Sequence, residues 1–277
     1  MTVLVLGGGG QLGRAVARLP GVRALPRADL DVTDAVAVAD ALDLHAPRAV
    51  IDAAAYTAVD QAERDRLAAF AVNATGAAVV ARACAARGVR CLYVSTDHVF
   101  DGPAGSPRAE DDPVAPANVY GASKAAGERA VRAAGGIVVR TSWLFADDGW
   151  GFVPAIARAA LAGRPLRVVA DRVGRPTYAG DLAQALMALV DAPPATYHYA
   201  GAEVVSWHQL ACAIVEALGR PVPIEAIPAA AWPHAAPRPT HGGLATGALA
   251  ALGLTPPSWR PGLARVVAAL ASAALPP

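Results

Sequence analysis

Tyr120 and Lys124 stand four residues apart in the segment YGASKAAGE. On a helix that spacing puts phenol and ammonium on one face. A neighbouring cation draws a phenol's pKa down from about 10 by stabilising the phenolate. A tyrosine so placed can give its proton to a carbonyl oxygen at neutral pH, which a ketone reductase requires. Lys124 is also the single lysine of the chain; the other 23 of its 24 basic residues are arginine. A compact ammonium suits a place beside a phenol better than a planar guanidinium does. Upstream, Ser95-Thr96-Asp97 ends an apolar run and offers a hydroxyl and a carboxylate at the C-terminal edge of a sheet, where open α/β sheets bind ligands.

A second group of residues points to a dinucleotide. Gly7, Gly10 and Gly13 form a GxxGxxG pattern between the apolar run Val3-Leu4-Val5-Leu6 and a helical segment over residues 11–19. Such glycines permit a tight turn, close backbone approach to a pyrophosphate and close helix–strand packing. The helix start, with Gln11 and Leu12, then offers free amide donors and partial positive charge to the phosphates. No GK[ST] follows, so the loop is not a P-loop. At the expected end of the second strand the chain reads Leu25-Pro26-Arg27, with no acid before Asp29. An acid there would hold a ribose 2′-hydroxyl. Arg27 instead suits a 2′-phosphate and so NADPH, with Arg14 a second candidate and NADH the alternative cofactor.

The elements that must position these groups follow from periodicity. Short apolar runs at 3–6, 49–52, 91–95 and 137–140 read as buried parallel strands, and alanine-rich segments near 34–44, 63–87 and 122–134 as helices. Their alternation predicts an α/β fold, a doubly wound parallel sheet of Rossmann type over residues 1–145. Prolines then break the rhythm, so residues 146–277 are expected to form a smaller, mixed α/β substrate-binding lobe interleaved with the first. Charged residues make up 17% of the 277 and the net charge is +1, which directs no strong field at nucleic acid or membrane. No stretch approaches about 18 uninterrupted apolar residues, and the N-terminus lacks a signal-like pattern, so a cytoplasmic protein is expected. Cys84, Cys91 and Cys212 form no CxxC pair, and His45, His198, His208, His234 and His241 show no ligand spacing, so no metal site is expected. Trp207, Trp232 and Trp259 read as packing residues.

Motifs along the whole length carry a resemblance: GGGGQLG (7–13), DLDVTD (29–34), AAAYTAVDQAE (53–63), STDHVFDG (95–102), NVYGASKAAGE (118–128), RTSWLF (140–145), DRVGRPT (171–177), GDLA (180–183) and a C-terminal RPTHGGLATGALAALGL followed by SWRPGL. The chain resembles the extended short-chain dehydrogenases/reductases, and within them the dTDP-4-dehydrorhamnose reductase family. The glycine loop and YxxxK mark the superfamily; STD-x-VFDG, RTSW and RPT…WRPGL are more specific to the reductase branch. The resemblance implies reduction of the 4-keto group of dTDP-4-dehydro-L-rhamnose. Tyr120 is then the proton donor, Lys124 lowers its pKa and binds the nicotinamide ribose, and Thr96 hydrogen-bonds the ketone oxygen. Asp97 touches the sugar, Trp143 packs against sugar or nucleotide, and Arg238 helps hold the phosphates. Asp31 and Val32 approach the adenine end, while Ala53, Ala54 and Ala55 line the cofactor after a fourth strand. Asn73 occupies a helix position facing the site.

The chain also departs from the family pattern. His98 stands where tyrosine is usual, beside the substrate-touching pair, and a histidine there can titrate near neutral pH; a tolerated polar substitution is the plainer reading. Asp52 replaces an asparagine and Arg172 a glutamine. A magnesium-bridged dimer known in the family needs glutamates that are lacking here, at Ala15 and in the closing Ala-Leu-Pro-Pro, so a monomer or weak homodimer is expected. Two alternatives remain. One is a reductase of another dTDP-4-keto-6-deoxy sugar, of streptose or antibiotic type. The other is a non-catalytic regulatory subunit, like the reductase-like partners of methionine adenosyltransferase, against which the intact Thr96, Tyr120 and Lys124 argue.

Overall fold

In the computed structural model, which describes residues 2–101, 107–147, 150–232 and 234–274, the glycine loop joins β1 (Val3–Leu6) to α1 (Gln11–Ala17). β2 (Val22–Leu25), α2 (Ala35–His45) and β3 (Ala49–Asp52) follow. Next come the short α3 (Val59–Ala62), α4 (Arg66–Phe70), a π-helical turn (Ala71–Gly76) and α5 (Ala77–Ala85). β4 (Arg90–Thr96), α6 (Val119–Ala133) and β5 (Ile137–Thr141) complete the first half. β1 is buried along its whole length, as a parallel strand covered on both faces must be.

The second half is made of shorter pieces: β6 (Leu144–Phe145), α7 (Phe152–Leu161), β7 (Leu166–Val169), β8 (Val173–Gly174), β9 (Thr177–Tyr178) and α8 (Ala179–Leu189). β10 (Thr196–His198), β11 (Val205–Ser206), α9 (Trp207–Leu218), β12 (Ile224–Ile227), β13 (His241–Gly242), α10 (Gly247–Ala251) and α11 (Arg260–Ala274) follow. α9 is closed at both ends by local chemistry, a reciprocal Ser206–Gln209 capping box and a left-handed Gly219.

The main sheet has six strands in the order β10-β5-β4-β3-β1-β2, and each neighbouring pair is parallel. The chain leaves β1 in one direction, to β2, and returns on the other side to β3, which opens a crevice at the C-terminal ends of β1 and β3. One apolar layer, including Leu12, Val16, Leu182 and Leu186, covers one face, and another, including Val38, Leu42, Val80 and Cys84, covers the other. A third core, centred on Trp259, joins α7, α9 and α11. β10 and α8 come from the second half of the chain, yet they extend the main sheet and its covering layer.

Three local expectations need correction. The helix expected over 63–87 is interrupted: α3 stands apart, and the π-helical turn widens the path between α4 and α5. The helix expected from 122 begins at Val119, because the Asn118 side chain accepts from Gly121 N at 2.7 Å and Glu63 Oε1 accepts from Val119 N at 2.9 Å. Tyr120 therefore lies in its first turn. Ala53, Ala54 and Ala55 follow the third strand, not a fourth. The path Arg66–Ala85 has the length and mean hydropathy, 1.5, of a membrane-crossing helix, but α4, the π turn and α5 pack against α6 and so belong to the interior layers.

Candidate active site

Backbone packing forces the glycine loop into shape. Gly7 has φ +75°, and a Cβ there would lie 2.7 Å from Ala54 Cα. A Cβ on Gly13 would sit 2.2 Å from the Gly7 carbonyl oxygen. Only glycine lets α1 begin this close to the end of β1. The loop and helix start open onto a cleft of about 1270 Å³ whose wall includes Gly10, Gln11, Leu12, Gly13, Ala53 and Ala55.

The cleft's floor is the end of β4 and the first two turns of α6. Thr96 leaves the strand and its Oγ1 accepts from His98 N at 3.2 Å, capping a short 3-10 turn that carries Asp97. Thr96 and Asp97 are 6% and 5% exposed. Burial pushes the Asp97 carboxyl up to about 7, against the lowering effect of the Thr96 hydrogen bond and of backbone amides. Tyr120 sits edge-on to the His98 ring, at 5.4 Å between centroids. Its phenol is pushed up to about 12 by burial, while a Thr96 hydrogen bond pulls it down and the Asp97 charge pushes it further up. The lowering expected from Lys124 is not among these causes. Desolvation dominates instead, with the Asp97 carboxylate acting in the same sense.

Lys124 is 2% exposed. Its Nζ lies 3.9 Å from the centre of the Tyr93 ring and has no hydrogen-bond partner among the described residues. Burial lowers its pKa to about 8, with the Asp52 and Glu128 charges acting in the opposite sense. Tyr93 is fixed by donating its hydroxyl hydrogen to the Asn73 carbonyl at 2.7 Å. The Asn73 side chain in turn donates to Ser123 Oγ at 2.9 Å and accepts from Tyr56 N at 2.8 Å. The π-helical turn thus aims Asn73 at the back of α6. Gly127 makes this contact fit, since a Cβ there would come 2.2 Å from the Asn73 oxygen. One turn further along, Glu128 accepts from Arg140 (2.8 and 2.9 Å), Ser95 (2.7 Å) and Arg132 (3.0 Å). Buried Glu128 and Arg140 therefore neutralise each other behind the site.

Aromatic side chains line the cleft's far wall. Trp143, at φ +46°, stacks on Trp207 with 3.5 Å between ring centroids, and Phe152, Trp150 and Trp232 join that wall. Arg172 also lines it, with its buried Nε unpartnered among the described residues.

These features fit a dinucleotide beside a polar carbonyl substrate: a glycine cradle that a Cβ would fill, and an orphaned buried ammonium facing a hydroxyl-rich pocket. The chain matches the RmlD substrate binding domain family over residues 1–272. The chain belongs to that family. It is 41% identical over 286 residues to the dTDP-4-dehydrorhamnose reductase of Mycobacterium tuberculosis, with 98% of this chain and 93% of that protein covered. It is 38% identical over 239 residues to the dTDP-4-keto-6-deoxy-D-glucose reductase of Streptomyces niveus, covering 81% and 83%. Among solved structures, the dTDP-4-dehydrorhamnose reductase of Bacillus anthracis in complex with NADP matches with a TM-score of 0.92 at 34% identity, covering 96% of this chain and 99% of that one.

For this member of the RmlD family, the cleft gathers Thr96, Asp97, His98, Tyr120, Lys124, Trp143 and Arg238 on one surface with the glycine loop. Other expected residues lie off its wall. Val32 is buried in the sheet's covering layer, against Gly76, and Ala54 packs beside that layer. Asp31 accepts from Thr33 N and Thr33 Oγ1, which hold its carboxyl below the usual range, and pairs at 3.9 Å with an exposed Arg27. Arg14 donates to the Gly9 carbonyl. Arg238 lines the cleft but is tied to Asp60 at 2.6 Å. His98 does not titrate near neutrality: burial, then the Arg238 charge, lower it to about 4, although its hydrogen bond with Asn118 acts the other way. Trp207 and Trp232, read from sequence as packing residues, stand on the cleft wall, whereas Trp259 is in the core. Their separation in sequence hid this convergence. Gly102 of the STDHVFDG motif and the closing residues 275–277 lie outside the described residues.

Proposed function

We propose that the chain is an NADPH-dependent reductase, with NADH the alternative cofactor, that converts the 4-keto group of dTDP-4-dehydro-L-rhamnose to the alcohol of dTDP-L-rhamnose. The convergence of Thr96, Tyr120 and an unpartnered Lys124 Nζ beside the glycine cradle carries this reading. The names of the curated relatives supply the sugar, and the NADP complex of the B. anthracis protein supports the cofactor. When bound, the reduced nicotinamide supplies a hydride to the carbonyl carbon.

The chain's own residues do the rest. Gly10, Gln11, Leu12 and Gly13 receive the pyrophosphate at backbone amides. Arg27 takes the 2′-phosphate, and Ala53 and Ala55 line the cofactor's path. Lys124 Nζ holds the nicotinamide ribose hydroxyls. Thr96 Oγ1 orients the ketone oxygen, and Tyr120 Oη gives it a proton, so the developing negative charge never stands alone. Asp97 and His98 bound the sugar, and the Trp143 wall faces the nucleotide. Arg238 meets the diphosphate after exchanging its Asp60 partner. Residues 1–145 hold the cofactor and 146–277 the sugar nucleotide, with β10 and α8 returning to the first unit. The enzyme works in the cytoplasm as a monomer or weak homodimer, and without nucleic acid or membrane, to neither of which a net charge of +1 directs a strong field.

The test is NADPH oxidation on adding dTDP-4-dehydro-L-rhamnose. Wild type is expected to turn over, and Tyr120→Phe to lose at least about a hundredfold in kcat, the usual range for removing a general acid. No wild-type turnover despite NADPH binding would refute the assignment. A second reading, a reductase of another dTDP-4-keto-6-deoxy sugar, is favoured by the likeness to the S. niveus protein and by His98 beside the sugar pair. Comparing kcat/KM for the two ketosugars decides between them.

A further inference from the structure

Resting on the reading of Lys124 as the site's cation, we infer that Asp52 is its dedicated counter-ion, a positioning residue that keeps the ammonium charged and aimed from behind. Asp52 ends β3, directly opposite Tyr93 in the register with β4, and Tyr93 is the ring over which Lys124 Nζ lies. Asp52 is 2% exposed, and its one hydrogen bond among the described residues is from Ala54 N, at 3.1 Å. A buried carboxylate thus ends the strand position opposite Tyr93 and a buried ammonium lies over that tyrosine's ring, and among the described residues neither makes an ion pair with any other group.

The other groups around Lys124 leave this role to Asp52. Glu128, on the same helix, is already engaged by Arg140, Arg132 and Ser95. From β4 come the neutral Tyr93 and Ser95, and from the π-helical turn the neutral Asn73. From the 3-10 turn, Asp97 acts on Tyr120 and His98 bonds Asn118. On α6 itself Tyr120 is uncharged. On the remaining neighbours, Asp60 of α3 is held by Arg238, Arg140 of β5 by Glu128, and Arg66 of α4 and Arg82 of α5 are exposed.

The consequence is a pair with a finite window. Burial raises Asp52 to about 6, with Lys124 and the Ala54 amide opposing that rise, and burial lowers Lys124 to about 8. Both are charged between these values. Below the lower one Asp52 takes up a proton and the ammonium loses its counter-charge; above the upper one the lysine itself loses its proton. A neutral residue at position 52 removes the attraction that helps Lys124 retain its proton.

The composition makes a direct measurement available. With one lysine in the chain, [13C]lysine labelling of the tag-free protein gives a single Cε resonance. In wild type that signal is expected to show its main inflection near 8 and a smaller one near 6, reporting the neighbouring carboxylate. In Asp52→Asn and Asp52→Ser, which each keep an acceptor for Ala54 N, the small inflection should vanish. The main one should fall by about one unit, a tenfold weaker hold on the proton, as expected when a nearby opposite charge is removed. Thermal unfolding checks that each variant is folded. A wild-type lysine that titrates at its ordinary value, or shows no inflection near 6, overturns the pairing whatever the variants do; so does an unchanged midpoint in a folded variant. The titration needs neither cofactor nor substrate. A paired lysine in a protein that fails to reduce the ketosugar would sink the reductase reading alone, and an active enzyme with an unpaired lysine would sink only the counter-ion.

Discussion

Asp97→Asn is expected to stabilise the protein above neutral pH while harming its chemistry. The carboxyl is 5% exposed, and burial raises it from 3.8 to about 7. Between those values the folded chain holds a proton that the unfolded chain has released, so wild type loses stability as pH rises from about 4 to 7 and bears the full penalty above 7. The difference is about 3 units, and at 1.36 kcal/mol per unit this is about 4 kcal/mol. Asparagine never ionises. Its amide hydrogens, placed where the carboxylate accepted from Thr96 at 3.1 Å, forfeit about 1 kcal/mol. The net gain at pH 8 is therefore about 3 kcal/mol, or roughly 6 °C in Tm at about 2 °C per kcal/mol for a chain of this size. Below pH 4 the gain disappears and the variant is the less stable of the two. Urea unfolding of both proteins at pH 4, 6 and 8 and fixed ionic strength measures the gap. A gap that stays constant with pH, or a variant less stable than wild type at pH 8, refutes the claim that Asp97 is held in an unfavourable charge state.

Two further changes probe the cofactor side. Gly13→Ala places a methyl 2.2 Å from the Gly7 carbonyl oxygen, so loop and helix must separate; overpacking of this kind costs about 1–3 kcal/mol. NADPH affinity by fluorescence quenching should drop along with Tm, and unchanged binding would show that the cradle does not hold the cofactor. Arg27→Ala removes an exposed guanidinium whose partner is Asp31 at 3.9 Å. NADPH affinity should fall about tenfold, the scale of one charge-assisted hydrogen bond, with NADH affinity unchanged; equal losses for both cofactors remove Arg27 from the 2′-phosphate role.

The parallel sheet was legible because short apolar runs end in residues that constrain the backbone. Gly7 and Gly13 announce the β1–α1 turn, and the Tyr120–Lys124 spacing announces one face of α6. Features that depend on what packs around a residue were not legible. A π-helical turn adds one residue to a helical repeat, and in an alanine-rich run such as 66–85 that leaves no change in hydrophobic period. The aromatic wall draws on positions 143, 150, 152, 207 and 232, whose proximity exists only after α7 and α9 pack together. His98 reads as a near-neutral titrating group from its type alone, and burial, then the Arg238 charge, make it a neutral hydrogen-bonding ring instead.

The same distinction explains the reversal at Tyr120. From sequence, a lysine one turn away should lower a phenol's pKa; in the fold, desolvation governs both groups. The outcome suits a donor in a reduction, because a phenol pushed to about 12 is fully protonated at any physiological pH. What it lacks is an easy path for the negative charge that remains after transfer, and the cations and hydroxyls of the site must supply that. Thr96 lies beside the phenol, and Lys124 Nζ has no hydrogen-bond partner among the described residues. Behind the site the opposite arrangement holds: Glu128 meets two arginines and a serine and is fully satisfied. Charges are thus tied by direct hydrogen bonds where they support the fold, whereas the Lys124 ammonium, on the cleft, has no hydrogen-bond partner among the described residues. The stability given up at Asp97, Asp52 and Lys124 is consistent with a site held ready for a polar ligand, since groups with no such task would be expected to be paired or replaced by apolar ones.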